Sequence, residues 1–262
     1  MYEQIQFEIT DKNIAIITLN RPEAYNAISD VMRNELREVI DIINLNSKIR
    51  AVIITGAGKG FCAGGDVKVM VDRLEKGMSF ETRREIFEKD VATMVKKIRS
   101  IKVPTIAAVN GGAFGAGASI SLLCDIRIAD EKAKFGFLFG KRALIPDWGC
   151  NYFLPRTVGY SRALELTATG RIITAKEAYE YGLVNQITPA GEVVNTAIEM
   201  CRQIITSSPG AVIETKKALA YGLVQELNEA LDYEGFIQSS RQTSGEHVEG
   251  VRSFQEKREP NY

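Results

Sequence analysis

The chain reads as an α/β core followed by a mainly helical C-terminal region. Three observations point there. Short β-branched runs recur at 14–19, 51–55, 104–109 and 125–129, each closed by Gly, Asn or Asp, as buried strands are. Helical stretches separate these runs, the order of an α/β fold. Beyond about residue 190 one helical pattern follows another with no strand-like run between them. We therefore expect a core over 1–190 and a helical C-terminal region over 191–262.

In chain order, the run at 14–19 is the first expected strand. Residues 30–43 carry Val31, Met32, Leu36, Val39, Ile40 and Ile43 on one helical face. Ser29 stands before them as an N-cap and Asp30 suits the first turn. After the strand at 51–55, residues 78–101 predict a second, more charged helix. The stretch from Val103 to Cys124 has no charged residue and is long enough to cross a bilayer. Pro104, Asn110 and the glycines at 111, 112, 115 and 117 favour a strand, a turn and a buried helix at 120–124 instead. In the last quarter, 192–207, 209–221, 224–242 and 247–256 are expected helices.

Composition bounds the function. At roughly 150 residues per domain, 262 residues make one large domain or one with an extension. Lys+Arg and Asp+Glu are both 33, so no cationic excess exists to neutralise a nucleic-acid backbone. Four scattered cysteines (Cys62, Cys124, Cys150, Cys201), no Cys-x-x-Cys pair and a single histidine, His247, argue against a zinc cluster. Few cysteines fit a reducing cytoplasm, and the N-terminus has no apolar signal segment. A soluble cytoplasmic protein with no metal, no nucleic acid and no membrane is the expectation.

Three loops could carry chemistry. Gly56-Ala57-Gly58-Lys59-Gly60 fails as a phosphate loop, because Gly60 stands where Ser or Thr must follow the lysine, and Phe61 replaces the last dinucleotide-loop glycine. Next come Phe61-Cys62-Ala63-Gly64-Gly65-Asp66, and then Asn110-Gly111-Gly112-Ala113-Phe114-Gly115-Ala116-Gly117 running into an apolar helix. Small residues let backbone N–H groups approach a ligand, and a helix start has orphan donors at its positive end. Two such loops are the parts of an oxyanion hole.

Here the chain resembles the crotonase (enoyl-CoA hydratase/isomerase) superfamily. The similarity lies in Asn20-Arg21-Pro22-Glu23-Ala24-Tyr25-Asn26-Ala27, in the two small-residue loops, in Leu154-Pro155-Arg156-Thr157-Val158-Gly159, in Ala175-Lys176-Glu177-Ala178 to Gly182-Leu183-Val184, and in Phe254-Gln255-Glu256-Lys257-Arg258. The resemblance implies a spiral of ββα units with C-terminal helices that form a homotrimer, often paired into a hexamer. It implies an acyl-CoA substrate and no separate cofactor, coenzyme A being part of the substrate. The oxyanion donors would be the N–H groups of Cys62 and Ala116. Arg21, Ala24, Ala63, Gly64, Gly65, Asp66, Val67, Lys68 and Gly115 would line the thioester and its CoA, and Lys257 would reach a phosphate.

Departures from the family then become informative. Family hydratases carry two glutamates, at positions where this chain has Ser119 and Phe139. Phe137, Leu138 and Phe139 make an apolar wall for a hydrocarbon or ring. One carboxylate remains, in Leu144-Ile145-Pro146-Asp147-Trp148-Gly149-Cys150, which resembles the base-bearing loop of family isomerases and is especially similar to that of the ring-epoxide isomerase of aerobic phenylacetate degradation. Its apolar neighbours should raise the pKa of Asp147 toward that of a usable base. An N-cap for a helix opening at 149–153 is the structural alternative for Asp147.

Trp148 and Tyr152 either line the acyl pocket or pack. His247 reads as a surface residue, the Cys62 thiol as inert, Ser119 as packing or capping, and Asp130, Glu131 and Lys132 as a solvated charged turn. The leading expectation is a double-bond or ring isomerase with Asp147 as its acid/base. A hydratase comes second and a thioester hydrolase third. A non-catalytic scaffold is the alternative from outside enzymology.

Overall fold

A computed structural model describes residues 2–262. The chain opens with β1 (Ile5–Ile9) antiparallel to β2 (Ile14–Leu19), then α1 (Asp30–Leu45). Ser29 caps α1 by accepting the Met32 N–H at 3.1 Å, as its sequence position implies. Next come β3 (Ala51–Gly56), β4 (Gly60–Cys62), α2 (Val67–Glu75), α3 (Phe80–Ile86), a π-helical turn at Phe87–Ala92 and α4 (Thr93–Arg99). Then follow β5 (Thr105–Val109), β6 (Gly112–Phe114), α5 (Ala116–Leu123), β7 (Ile126–Asp130), β8 (Lys134–Gly136), α6 (Cys150–Val158) and α7 (Tyr160–Thr169). The last elements are β9 (Ile172–Thr174), α8 (Ala175–Glu180), β10 (Gln186–Thr188), α9 (Val193–Ile205), α10 (Pro209–Gly222), α11 (Leu227–Gln242) and α12 (Gly245–Glu256).

The strands form two sheets, ordered β1-β2-β3-β5-β7-β10 and β4-β6-β8-β9. Each repeat gives its first strand to the large sheet and its second to the small one, then passes through helix: β3-β4, β5-β6 and β7-β8 all do this. That is the ββα spiral the resemblance implies. All pairings from β2 to β10 in the large sheet are parallel. Parallel strands covered on both faces must be apolar on both. Accordingly Ile17, Leu19, Val52, Ile54, Ala107 and Val109 face one core, which α1 covers with Met32, Leu36, Val39, Ile40 and Ile43. Ile14, Ile16, Ala51, Ile53, Ile106, Ala108 and Ile128 face the other.

That second face moves the expected boundary at 190/191. Val193, Ala197 and Cys201, one turn apart on α9, close it, so α9 belongs to the core. The outlying helical region begins only at α10. The predicted helix over 78–101 is likewise broken, by the π turn, and is preceded by an unexpected α2. The uncharged stretch at 103–124 folds as β5, β6 and α5, and no helix among the described residues is long and apolar enough to cross a membrane. All four cysteines are free and buried.

Candidate active site

α5 starts where the chain can turn only through glycine. Gly115 has φ 52° and ψ −121°, and its N–H donates to the Gly136 carbonyl at 2.8 Å. Ala116 is the first helical residue, so its N–H has no intrahelical acceptor and lies at the positive end of the helix.

The loop after β4 supplies the second free amide, and it is not that of Cys62. Cys62 is 0% exposed and lies opposite Ala113 in the small sheet, within the strand rather than in the loop that follows it. Its carbonyl occupies the space that a side chain on Gly117 would need. Ala63 donates to the Tyr25 carbonyl at 2.9 Å, and Gly64 donates to Cys62 Sγ at 3.4 Å. The Gly64 carbonyl accepts the Ile28 N–H at 2.8 Å. The peptide is trans, so the Gly65 N–H points the opposite way, away from Ile28, and meets no acceptor among the described residues. Gly64 packs directly on the α5 start: a Cβ there would lie 2.7 Å from the Phe114 carbonyl and 3.3 Å from the Ala116 nitrogen. The free amides of Gly65 and Ala116 are therefore neighbours, which makes Gly65, rather than the expected Cys62, the candidate donor of this loop. The spacing of small residues locates the loop, but which N–H is free depends on its pairing with Ile28.

Asn26 and Arg21 hold this loop in place. Asn26 is fully buried; it accepts the Arg21 N–H and donates to the carbonyls of Ala57 and Gly60 at 2.9 and 2.8 Å. The Arg21 guanidinium bonds the Ala27 carbonyl at 2.8 Å and Asp66 at 3.0 Å. Asp66 caps α2 through the Lys68 N–H at 2.9 Å. Burial raises the Asp66 pKa, and the bonds from Arg21 and Lys68 outweigh it, leaving the carboxyl below its ordinary value. Arg21 and Asp66 thus serve each other and brace the loop. Ala24 is half-buried in a short 3-10 turn, and Val67 and Lys68 stand exposed on the first turn of α2.

Asp147 sits before two consecutive left-handed residues, Trp148 (φ 52°) and Gly149 (φ 76°). A bulky residue at positive φ is strained, and such strain collects at functional sites. The Asp147 carbonyl accepts the Cys150 N–H at 3.0 Å, while Gly149 takes the N-cap position of α6 with no side-chain cap. The capping alternative for Asp147 therefore fails, and its carboxylate is left free. Oδ1 is buried without a hydrogen-bond partner, and burial pushes the pKa up to about 6.

α5 ties the two halves together. Gly149 packs on Leu123, where a Cβ would lie 3.4 Å from Leu123 Cδ2. Burial pushes the Cys150 thiol up to about 12, with the adjoining Ser119 hydroxyl lowering it and the Asp147 charge raising it. Ser119 is fully buried and donates to the Gly115 carbonyl at 3.2 Å, a packed residue as expected. Phe137 and Phe139 are buried.

Trp148 is buried; Tyr152 is exposed under the Arg156 guanidinium, 3.7 Å above its ring. Lys257 caps α12 at φ 55°, with local bonds to the carbonyls of Ser253 and Phe254. His247 is exposed. Burial also pushes the Cys62 thiol up to about 12, consistent with an inert role. Asp130 is not solvated as expected: it is 5% exposed, its oxygens taken by the N–H groups of Lys132 and Gly191 at 2.8 and 2.7 Å. A cleft of about 1030 Å³ runs beside the donor loop, lined by Tyr25, Lys59, Ala63, Phe114, Lys132 and Lys134 among others. Among the described residues no group of three His, Cys, Asp or Glu is placed to hold a metal.

The ββα spiral places the Gly65 amide beside the Ala116 amide at the start of α5, and the turn that carries the desolvated Asp147 packs on the same helix through Gly149 and Leu123. Residues 9–262 match the enoyl-CoA hydratase/isomerase family, and the chain belongs to that family, the crotonase superfamily. It is 35% identical over 257 residues to the 1,2-epoxyphenylacetyl-CoA isomerase of Escherichia coli K12, covering 96% of this chain and 95% of that one. It is 34% identical over 266 residues to a mitochondrial enoyl-CoA hydratase of Pongo abelii, covering 100% and 88%. In structure it is similar to an enoyl-CoA hydratase from Bacillus anthracis, with TM-score 0.92, 36% identity and 99% of each chain covered.

Proposed function

We propose that the protein isomerises an acyl-CoA thioester by shifting a proton between carbons. Deprotonation next to a thioester carbonyl puts negative charge on its oxygen. The N–H groups of Gly65 and Ala116 bind that oxygen, each worth about 2.7–4 kcal/mol of barrier. The Asp147 carboxylate takes the proton from one carbon and, as the carboxylic acid, returns it to another. No atom is added to the substrate, so no second acid and no activated water are needed. The observation that carries this reading is the lone desolvated Asp147, with Ser119 and Phe139 at the two positions where family hydratases hold glutamate. A pKa near 6 leaves the base ionised at neutral pH yet close enough to be protonated in turnover.

Hydration is the second reading, favoured by the hydratase names among the relatives. The test is a substrate panel of crotonyl-CoA, a 3-enoyl-CoA, a dienoyl-CoA and a cyclic acyl-CoA, followed by mass and absorbance. Isomerisation leaves the mass unchanged. A gain of one water on crotonyl-CoA at comparable rate establishes hydration instead, and free CoA establishes hydrolysis.

The three lysines of the cleft beside the donor loop, Lys59, Lys132 and Lys134, have no carboxylate partner among the described residues, which supports an anionic nucleotide at that end of the substrate. The C-terminal helices expose Leu219, Leu223, Leu227, Leu231 and Phe236. Apolar surface on this scale supports burial between copies, and a homotrimer, alone or paired into a hexamer, is the assembly we propose. Phe236→Asp is expected to reduce the mass seen by light scattering to that of one chain; an unchanged mass places the interface elsewhere.

A further inference from the structure

Asp125, just past the end of α5, gathers charges from three distant segments. Its Oδ2 accepts the Thr105 N–H and hydroxyl, each at 2.8 Å, and the Lys216 ammonium of α10 at 2.6 Å. Its Oδ1 accepts Arg99 at 3.0 Å. Lys216 spends its two other donors on the carbonyls of Ile101 and Val103, both at 2.8 Å. Burial of such groups is costly unless every donor is matched. Here the matching fixes α10, α4 and the end of α5 to one another.

Arg99 carries this junction to both halves of the site. Its Nη1 also bonds the Leu123 carbonyl at 3.0 Å, one of the orphan carbonyls at the end of α5, whose other end presents the Ala116 N–H. Its guanidinium lies 5.3 Å from the centre of the Phe153 ring. Phe153 in turn packs on Gly149, where a Cβ would lie 3.2 Å from the ring. Gly149 follows Trp148 in the strained turn that aims Asp147.

We propose that Arg99 is a positioning residue for the acid and the oxyanion helix together, and that Lys216, through Asp125, makes its placement depend on the seating of α10. Neither residue touches the reacting atoms. The inference rests on the proton-transfer role of Asp147 and on α5 as a donor helix. Because α10 opens the proposed assembly region, it also links assembly to turnover.

The test measures kcat, KM and the pH profile of the best thioester from the panel, for Lys216→Met, Lys216→Arg and Phe153→Leu. A displacement of about 1 Å at a catalytic group costs on the order of 10²-fold in rate. We expect Lys216→Met and Phe153→Leu to lower kcat between about ten- and a hundred-fold, to leave KM within about two-fold, and to move the acidic limb of the profile. Lys216→Arg is expected to restore most of the rate. Lower melting temperatures with kcat and the acidic limb unchanged at a permissive temperature overturn the proposal. So does a full loss of folding in Lys216→Met if folded Phe153→Leu keeps the wild-type rate and limb. Failure of the underlying reading shows separately, as a wild-type enzyme indifferent to Asp147→Asn.

Discussion

Asp147→Asn is expected to lower kcat by about three orders of magnitude, the loss typical of removing a general base, with KM changed only a few-fold. The residual rate would come from the two amides, which the substitution leaves in place. In the wild type kcat should rise with pH through about 6 as Asp147 ionises, and that limb should vanish in the variant. Stability should move the other way. Folding raises the Asp147 pKa from 3.8 to about 6, so the fold favours the protonated acid. That contribution is fully present below the unfolded value and is lost as pH rises through about 6. At pH 7 the buried charge therefore costs the wild type up to about 3 kcal/mol, from two pKa units at 1.36 kcal/mol each. The asparagine variant should melt higher than the wild type at pH 7, and the gap should close toward pH 4. Turnover surviving within a few-fold, or a gap that widens on acidification, would remove Asp147 from the mechanism.

Gly64→Ala should be nearly as damaging to catalysis without touching any acid. Gly64 has φ +99°, and its Cβ would press on the Phe114 carbonyl and crowd the Ala116 nitrogen. Relief requires the two donor loops to separate. Losing one oxyanion donor costs about 10²–10³ in kcat, and that is the expected loss here. Gly77→Ala is the matched control: it too is left-handed, at φ +59°, but with nothing within 4 Å of the new methyl. It should cost about 1–2 kcal/mol of stability at most and leave kcat unchanged. Equal losses in both variants would mean that backbone strain, not the meeting of the loops, is being measured.

Much of the frame is legible in local sequence. β2 coincides with its β-branched run, and α1 begins at the cap that Ser29 announces, because both depend on side-chain periodicity and on one hydroxyl within three residues. β4, β6 and β8 escape notice because three-residue strands made largely of Gly, Ala and Phe have no pattern to read. α9 looks like the start of an appendage until the outer face of the large sheet is seen to need cover. Asp130 looks solvated because its partners include a backbone N–H at residue 191, sixty-one positions along the chain.

The sequence by itself determined the family, the two small-residue loops and the single acid at 147, since residue type and order along the chain decide these. Tertiary structure alone decided which amide is free, because N–H direction is set residue by residue through pairing, here of Gly64 with Ile28. It alone showed that Asp147 caps nothing and is desolvated, and that Arg99 and Lys216 meet at Asp125, because burial and long-range ion pairs are properties of segments brought together only by folding.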